Sequence, residues 1–372
     1  MKWFNIQNVR YWIIKLAFLM VFVTNSKSAT INVNIDPRLE LLSVVQIISN
    51  YNERYFLMTN FDFKYKQDIL EYFSKYKDHK AVKLFDKMSH LPYGYFNAHR
   101  PPELMVHLSN PPELNIQYPI PTEIVKSSDL KNIIFFSSNM KRLNAFIDAL
   151  RDFCVETGFM DFYNDHKEFY NTVSSDAKNE LSRFDINKME EYFGISQNGY
   201  NIILVPLFHG GGFAARILGD NGKYDIYSII GPVGVSEGVP YFGDNKSLTE
   251  LCSHEFNHSF INMDDNYYLF KPYRSLYKPI KQRMKSNAYP NWKYCVEEHI
   301  DRAVVIRLLS KEFGDEVADE KIKYEFDRGF IYVEGITNKL KEYESQRDIY
   351  PSIVDFYPEI AKIFKDYYEK KH

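Results

Sequence analysis

His254, Glu255 and His258 stand in the order His-Glu-x-x-His within LTELCSHEFNHSFIN, residues 248–262. Histidines four residues apart on a helix lie one above the other, so both imidazoles can reach a single zinc ion at about 2.0–2.1 Å. The glutamate between them falls beside such an ion, where it can take a proton from water and later hand it to a leaving amine. With 10 His and 25 Glu among 372 residues, about 0.02 copies of the pattern are expected by chance. The plain alternative, two buried histidines bonded to core carbonyls, gives the glutamate no role.

A catalytic zinc site commonly has three protein ligands and one open position. The long motif His-Glu-x-x-His-x-x-Gly-x-x-His is excluded, because Ile261 and Asp264 stand where its Gly and last His would be. The remaining common solution is a glutamate on a later helix, and WKYCVEEHIDRAVVIRLLSKEFG (292–314) supplies one, with Gly314 as its carboxy-terminal cap. Two acids compete there. Glu297 with Asp301 and Glu298 with Arg302 are both i, i+4 pairs, so either could be the ligand with a supporting partner one turn on. His299 is a weaker candidate, and spacing leaves the two glutamates open. Tyr289 in AYPNW is a candidate second donor to a developing oxyanion. Packing against Trp292 is its plainer role.

The elements that must position these residues are legible around the motif. Ser247 followed by Glu250 forms a capping box, which predicts a helix from Leu248. Turned at about 100° per residue, that helix carries apolar side chains on both sides and should be buried. Before it, YNIILVPLF (200–208) reads as a buried strand. FAARIL and YDIYSII then flank Gly219-Asp220-Asn221-Gly222, a strong hairpin signal. GGGFAARI could be an edge strand along which a substrate pairs, its glycines allowing close backbone approach, or simply a glycine turn. A phosphate loop is excluded because Phe213-Ala214 follow the glycines instead of Lys-Ser/Thr.

The stretches IDPRLELLSVV, SHEFNHSFIN, AYPNW and EEHIDRAVVIRLL together resemble a family of exported bacterial proteins, frequent among Bacteroidetes, described as domain of unknown function 4932. The similarity extends from about residue 33 to 315. In that family the later helix carries a Glu, residues that are usually Val, and then Arg-Ala. This aligns Glu298 with the Glu and Arg302-Ala303 with the Arg-Ala, while Asp301 departs from the usual Val. The resemblance therefore implies zinc held by His254, His258 and Glu298, with Glu297 as runner-up. It also implies an α+β, zincin-like metallopeptidase fold, predominantly helical with a small mixed sheet preceding the active-site helix.

Composition bounds what remains. A formal charge of −3 gives no basic footprint for nucleic acid. At the amino terminus Lys2 and Arg10, the apolar run LAFLMVFV (16–23) and Ser26 and Ser28 read as an export signal cleaved after Ser28. Lys15 interrupts the apolar stretch, leaving it too short for the ~20 residues of a membrane span. Exported location, in the periplasm, at the cell surface or outside the cell, is the expectation. The odd number of cysteines, Cys154, Cys252 and Cys295, makes no disulfide framework; a bridge between Cys252 and Cys295 and a pair of buried thiols are both open. IDPRLELLSVVQIISNY (35–51) reads as a helix behind an Asp-Pro start. The proline-rich stretch 99–121, with PPEL at 101 and again at 111, reads as an irregular crossing loop with short helical turns. The expected organisation is a signal at 1–28, a mainly helical part at 29–195, sheet plus motif helix at 196–265, and a helical part at 266–372 carrying the third ligand. The expected function is a zinc-dependent metallopeptidase acting on peptide or protein, with Glu255 as general base and acid. The alternative is an exported binding protein, for glycan or cell-surface protein, with an inactive or structural metal site.

Overall fold

The computed structural model describes residues 29–90, 96–125, 133–261 and 263–370. The export signal expected at 1–28 lies outside them. Ile202, Ile203 and Leu204 are buried in succession, the mark of a strand covered on both faces. They belong to strand β2 (Gly199–Leu204), which ends four residues earlier than the apolar run suggested. Its neighbours are β1 (Ile31–Asn34) and β4 (Tyr224–Gly231), both parallel to it, while β3 (Gly211–Leu218) pairs antiparallel with β4. The order β1-β2-β4-β3 leaves β3 at an edge. Gly222, at φ +77°, supplies the left-handed residue that closes the β3–β4 hairpin. A second small hairpin, β5 (Gly234–Ser236) with β6 (Val239–Tyr241), leads into the motif helix.

The first helix, α1 (Pro37–Ile47), starts as its Asp-Pro sequence dictates: Asp36 accepts from the Arg38 backbone N–H, and Pro37 occupies the first turn, where no N–H is needed. The two PPEL copies diverge. Pro101 and Pro102 sit in the first turn of α2 (Arg100–Val106), whereas the second copy forms a turn closed by a bridge between Leu108 and Ile116. The motif helix α3 (Asn245–Asn257) packs against β3 and β4 and against α4 (Trp292–Phe313). Behind α4 lie α5 (Asp315–Asp327), α6 (Val333–Ser345) and α7 (Ile353–Glu369). One contiguous apolar core runs from Val33 in β1 to Phe364 in α7. The fold is thus α+β, mostly helical with a small mixed sheet. No described helix is long and apolar enough to cross a membrane.

One buried acid far from the motif sets a pH dependence. Glu40 of α1 is fully buried; Tyr65 donates its O–H to Oε2, and Oε1 has no hydrogen-bond partner. Burial pushes its carboxyl from 4.5 up to about 8. A carboxyl with a folded pKa above its unfolded one contributes stability that is full below the unfolded pKa and is lost as pH rises through the folded one. The melting temperature should therefore fall between pH 5 and pH 8. Glu40→Gln should flatten that slope and be the more stable protein at pH 8, as thermal melts of both at the two pH values will show.

Candidate metal centre

Asp244, not Ser247, caps α3. It accepts from the Ser247 N–H and hydroxyl at 2.9 and 2.6 Å, so the helix begins at Asn245. A carboxylate accepts more strongly than a hydroxyl and also meets the positive end of the helix, which is why the earlier residue takes the position. Glu250, freed from the expected capping box, pairs with Lys321 of α5. The helix stops at Asn257, and His258 is its first flanking residue, followed by tight turns through Ser259 and Phe260.

His254 and His258 still lie side by side as the spacing requires, their ring centroids 4.9 Å apart with one ring edge-on to the other. Facing them from α4 is Glu298, with Oε1 3.6 Å from His258 Nε2 and Oε2 4.0 Å from His254 Nε2. Adjacent helical residues point about 100° apart, so only one of the two glutamates can face α3. Glu297 lines the cavity beside His258 instead. Asp301 lies one turn after Glu298 on the same face and is fully buried. Its Oδ2 is 2.8 Å from His254 Nδ1 and 3.5 Å from His258 Nε2, while Asn257 donates to Oδ1 at 2.8 Å. The His254 contact is a close ion pair, not a straight hydrogen bond, so Oδ2 keeps capacity for another partner. One ligand atom from each of His254, His258, Glu298 and Asp301 lies within 4.8 Å of the others. This buried group could hold a metal ion.

Arg302 braces the acid. Its guanidinium donates to Glu298 Oε2 at 3.2 Å, to Glu325 Oε1 at 3.1 Å and to the Tyr289 hydroxyl at 3.2 Å, and it stacks 4.1 Å from the Phe330 ring centroid. Glu325 is fully buried and also pairs with Lys321 and Arg328. Tyr289 packs on Phe330, not on Trp292, and its hydroxyl is engaged with Arg302, which makes it a support for Glu298. His299 is core: its Nδ1 donates to the Cys295 carbonyl at 2.6 Å and burial holds its pKa down at about 4. Cys154, Cys252 and Cys295 are free, buried thiols, so the bridge considered between the last two is absent.

Glu255 is 6% exposed and lies under the edge strand. A Cβ on Gly212 of β3 would fall 2.6 Å from its Oε1, so only glycine lets the strand pass this close. Burial raises the Glu255 pKa, opposed by the charges of His254 and His258. A raised carboxyl suits a group that must both accept and return a proton near neutrality. Burial also works against charge on His254, but Asp301 outweighs it and carries the imidazole up to about 9. Asp301 in turn is lowered, because the two histidines overcome its desolvation.

Residues 31–363 match the family described as Domain of unknown function (DUF4932). The chain belongs to the DUF4932 family. No curated protein and no solved structure matches it. The family description carries no activity, so the chemistry of this DUF4932 protein has to be argued from its own side chains.

Two outcomes test the centre. Metal-free protein below pH 9 carries a proton on His254 that an incoming metal ion must displace, so any affinity of the group for a divalent metal should rise about tenfold per pH unit up to about pH 9 and then level. Calorimetric titration in buffers of different ionisation enthalpy will count that proton. If the group holds a metal through His254, Asp301→Asn should weaken its binding about 10–100-fold, the usual cost of losing the partner of a ligating histidine. A chelator competition assay on both proteins reads this directly.

Proposed function

We propose that the protein is a zinc-dependent peptidase that hydrolyses peptide bonds, with Glu255 as general base and then general acid. The observation that carries this reading is the position of Glu255: buried between two potential metal ligands, directly beneath a sheet edge, at a place where a purely structural metal site has no use for a carboxylate. His254, His258 and Glu298 would hold the zinc, and their nitrogen and carboxylate donors, a third ligand on a separate helix and a braced carboxylate fit that ion. When bound, zinc lowers the pKa of water and polarises the scissile carbonyl.

The rest is done by the chain. Glu255 accepts the proton of the attacking water and returns it to the amine that leaves. Asp301 holds the Nδ1 side of His254, which directs Nε2 toward Glu298. Arg302 holds Glu298 in place and offsets the charge of a second buried acid. The outer edge of β3 offers backbone groups to which an extended substrate can add as a further strand, with Gly212 bringing it close to Glu255. A sheet edge over a motif helix, with the third ligand on a later helix, supports a zincin-like architecture of the glutamate-ligand type. The charged and apolar pattern of residues 1–28 supports an exported enzyme.

Glu255→Gln should keep one zinc per chain and lose about 10²–10⁴-fold in cleavage of an unstructured protein. Gly212→Ala should also keep its zinc but cleave more slowly, because the new methyl group displaces the Glu255 carboxylate. Metal analysis beside the cleavage assay separates the two effects. If the wild type holds one zinc and cleaves nothing in a broad peptide library, the peptidase reading fails and an exported binding protein with an inactive metal site takes its place.

A further inference from the structure

A cavity of about 650 Å³ opens beside His258, between α2, the end of β3 and the first turns of α4. Its size is that of a binding pocket for a few residues of a ligand. Its charged lining is unevenly matched. Lys293 donates to Asp264. Arg216 stacks 4.7 Å from the centroid of the Tyr224 ring and acts on Glu103. Glu297 has neither a hydrogen bond nor an ion pair among the described residues. Lys293 stands one helical turn before it, at the i, i+4 spacing that usually closes an ion pair on a helix, and turns away to Asp264 instead.

One further feature marks the cavity as a place where something binds. At the rim, Tyr118, Leu218 and Tyr294 are 39%, 59% and 50% exposed, an apolar collar at the mouth of an acidic pocket. Such a collar packs the methylene stem of a long cationic side chain while an acid inside takes its charge.

We propose that this cavity receives a positively charged group of the substrate, a Lys or Arg side chain or a free amino terminus close to the scissile bond, and that Glu297 is the residue that reads it. The inference rests on the peptidase reading for its substrate and deepens it by one specificity determinant. Glu297 neighbours the proposed ligand Glu298 in sequence but points into the cavity, so the roles of the two acids separate. Glu298 holds metal and Glu297 selects substrate.

The test uses the full, zinc-loaded chain and fluorogenic peptides in two sets. One set is amino-terminally acetylated, with Lys or norleucine walked through each position. The other is uncharged in its side chains and compared with and without acetylation. The expected result is at least a ~10-fold higher kcat/KM for the cation-bearing member of one set. Glu297→Gln should bring that ratio close to one, chiefly through KM, with zinc still at one per chain. Glu297→Lys should turn the preference toward acidic residues. Binding of the same peptides to Glu255→Gln, followed by fluorescence anisotropy, reads recognition without turnover. Cleavage that ignores charge, or a preference that survives Glu297→Gln, overturns the inference and leaves the peptidase reading standing. No cleavage, together with Glu297-dependent binding of cationic peptides, sinks the peptidase reading and keeps the charge recognition. Loss of zinc in Glu297→Gln makes Glu297 a ligand and overturns the inference.

Discussion

Two carboxylates, Glu298 and Asp301, are held in the protein interior within a few ångströms of each other, and the surrounding structure is organised by what that requires. A buried charge without a partner is among the most destabilising things a protein can contain. Two acids on one helix face therefore need positive charge delivered from elsewhere. His254 delivers it from the motif helix, 2.8 Å from Asp301. Arg302 delivers it from the same helix as the acids. The protonated His254 of the metal-free protein is the electrostatic image of the cation the site would hold.

That requirement propagates outward. Arg302 cannot serve Glu298 alone, since its five N–H donors need acceptors once it is buried, and Glu325 from α5 supplies one. Glu325 is then buried itself and draws Lys321 and Arg328. Lys321 closes the circuit by reaching Glu250 on the motif helix. Three helices are tied together by a chain of charges that begins at the candidate metal centre. A circuit of this kind holds ligands to narrow positions in a way that apolar packing alone does not, because each charge loses its partner if a helix shifts. Against the other side of α3 the demand is steric. Gly212 lets β3 approach Glu255 until no side chain fits between them.

Residues close in sequence were readable and residues brought together from afar were not. The motif histidines, the β3–β4 hairpin and the Gly314 cap of α4 each follow from spacing within a dozen residues, where helix and turn geometry is nearly obligatory. The four residues of β1 carry too little pattern to show, and their pairing with β2 joins positions about 170 residues apart, as in Ile31 with Tyr200. The cap of α3 was misplaced by three residues because Asp244 and Ser247 are both good caps, and local sequence does not say which adopts extended dihedrals. Glu325 gave no signal at all, since an acid on an exposed-looking helix differs from a buried one only in what packs over it.

The sequence alone determined the chemistry on offer: two imidazoles and a carboxylate on one helix, an acid-rich helix to complement them, and a β-hairpin before them. It did so because those features are written in intervals of one to eight residues, over which the backbone leaves little freedom. Only the tertiary structure decided that Glu298 faces the histidines while Glu297 faces a cavity, that Asp301 stands behind His254, and that Tyr289 supports Arg302. Each of these depends on how one helix is rotated against another. That rotation is set by the whole buried face of α4, not by the few residues that do the chemistry.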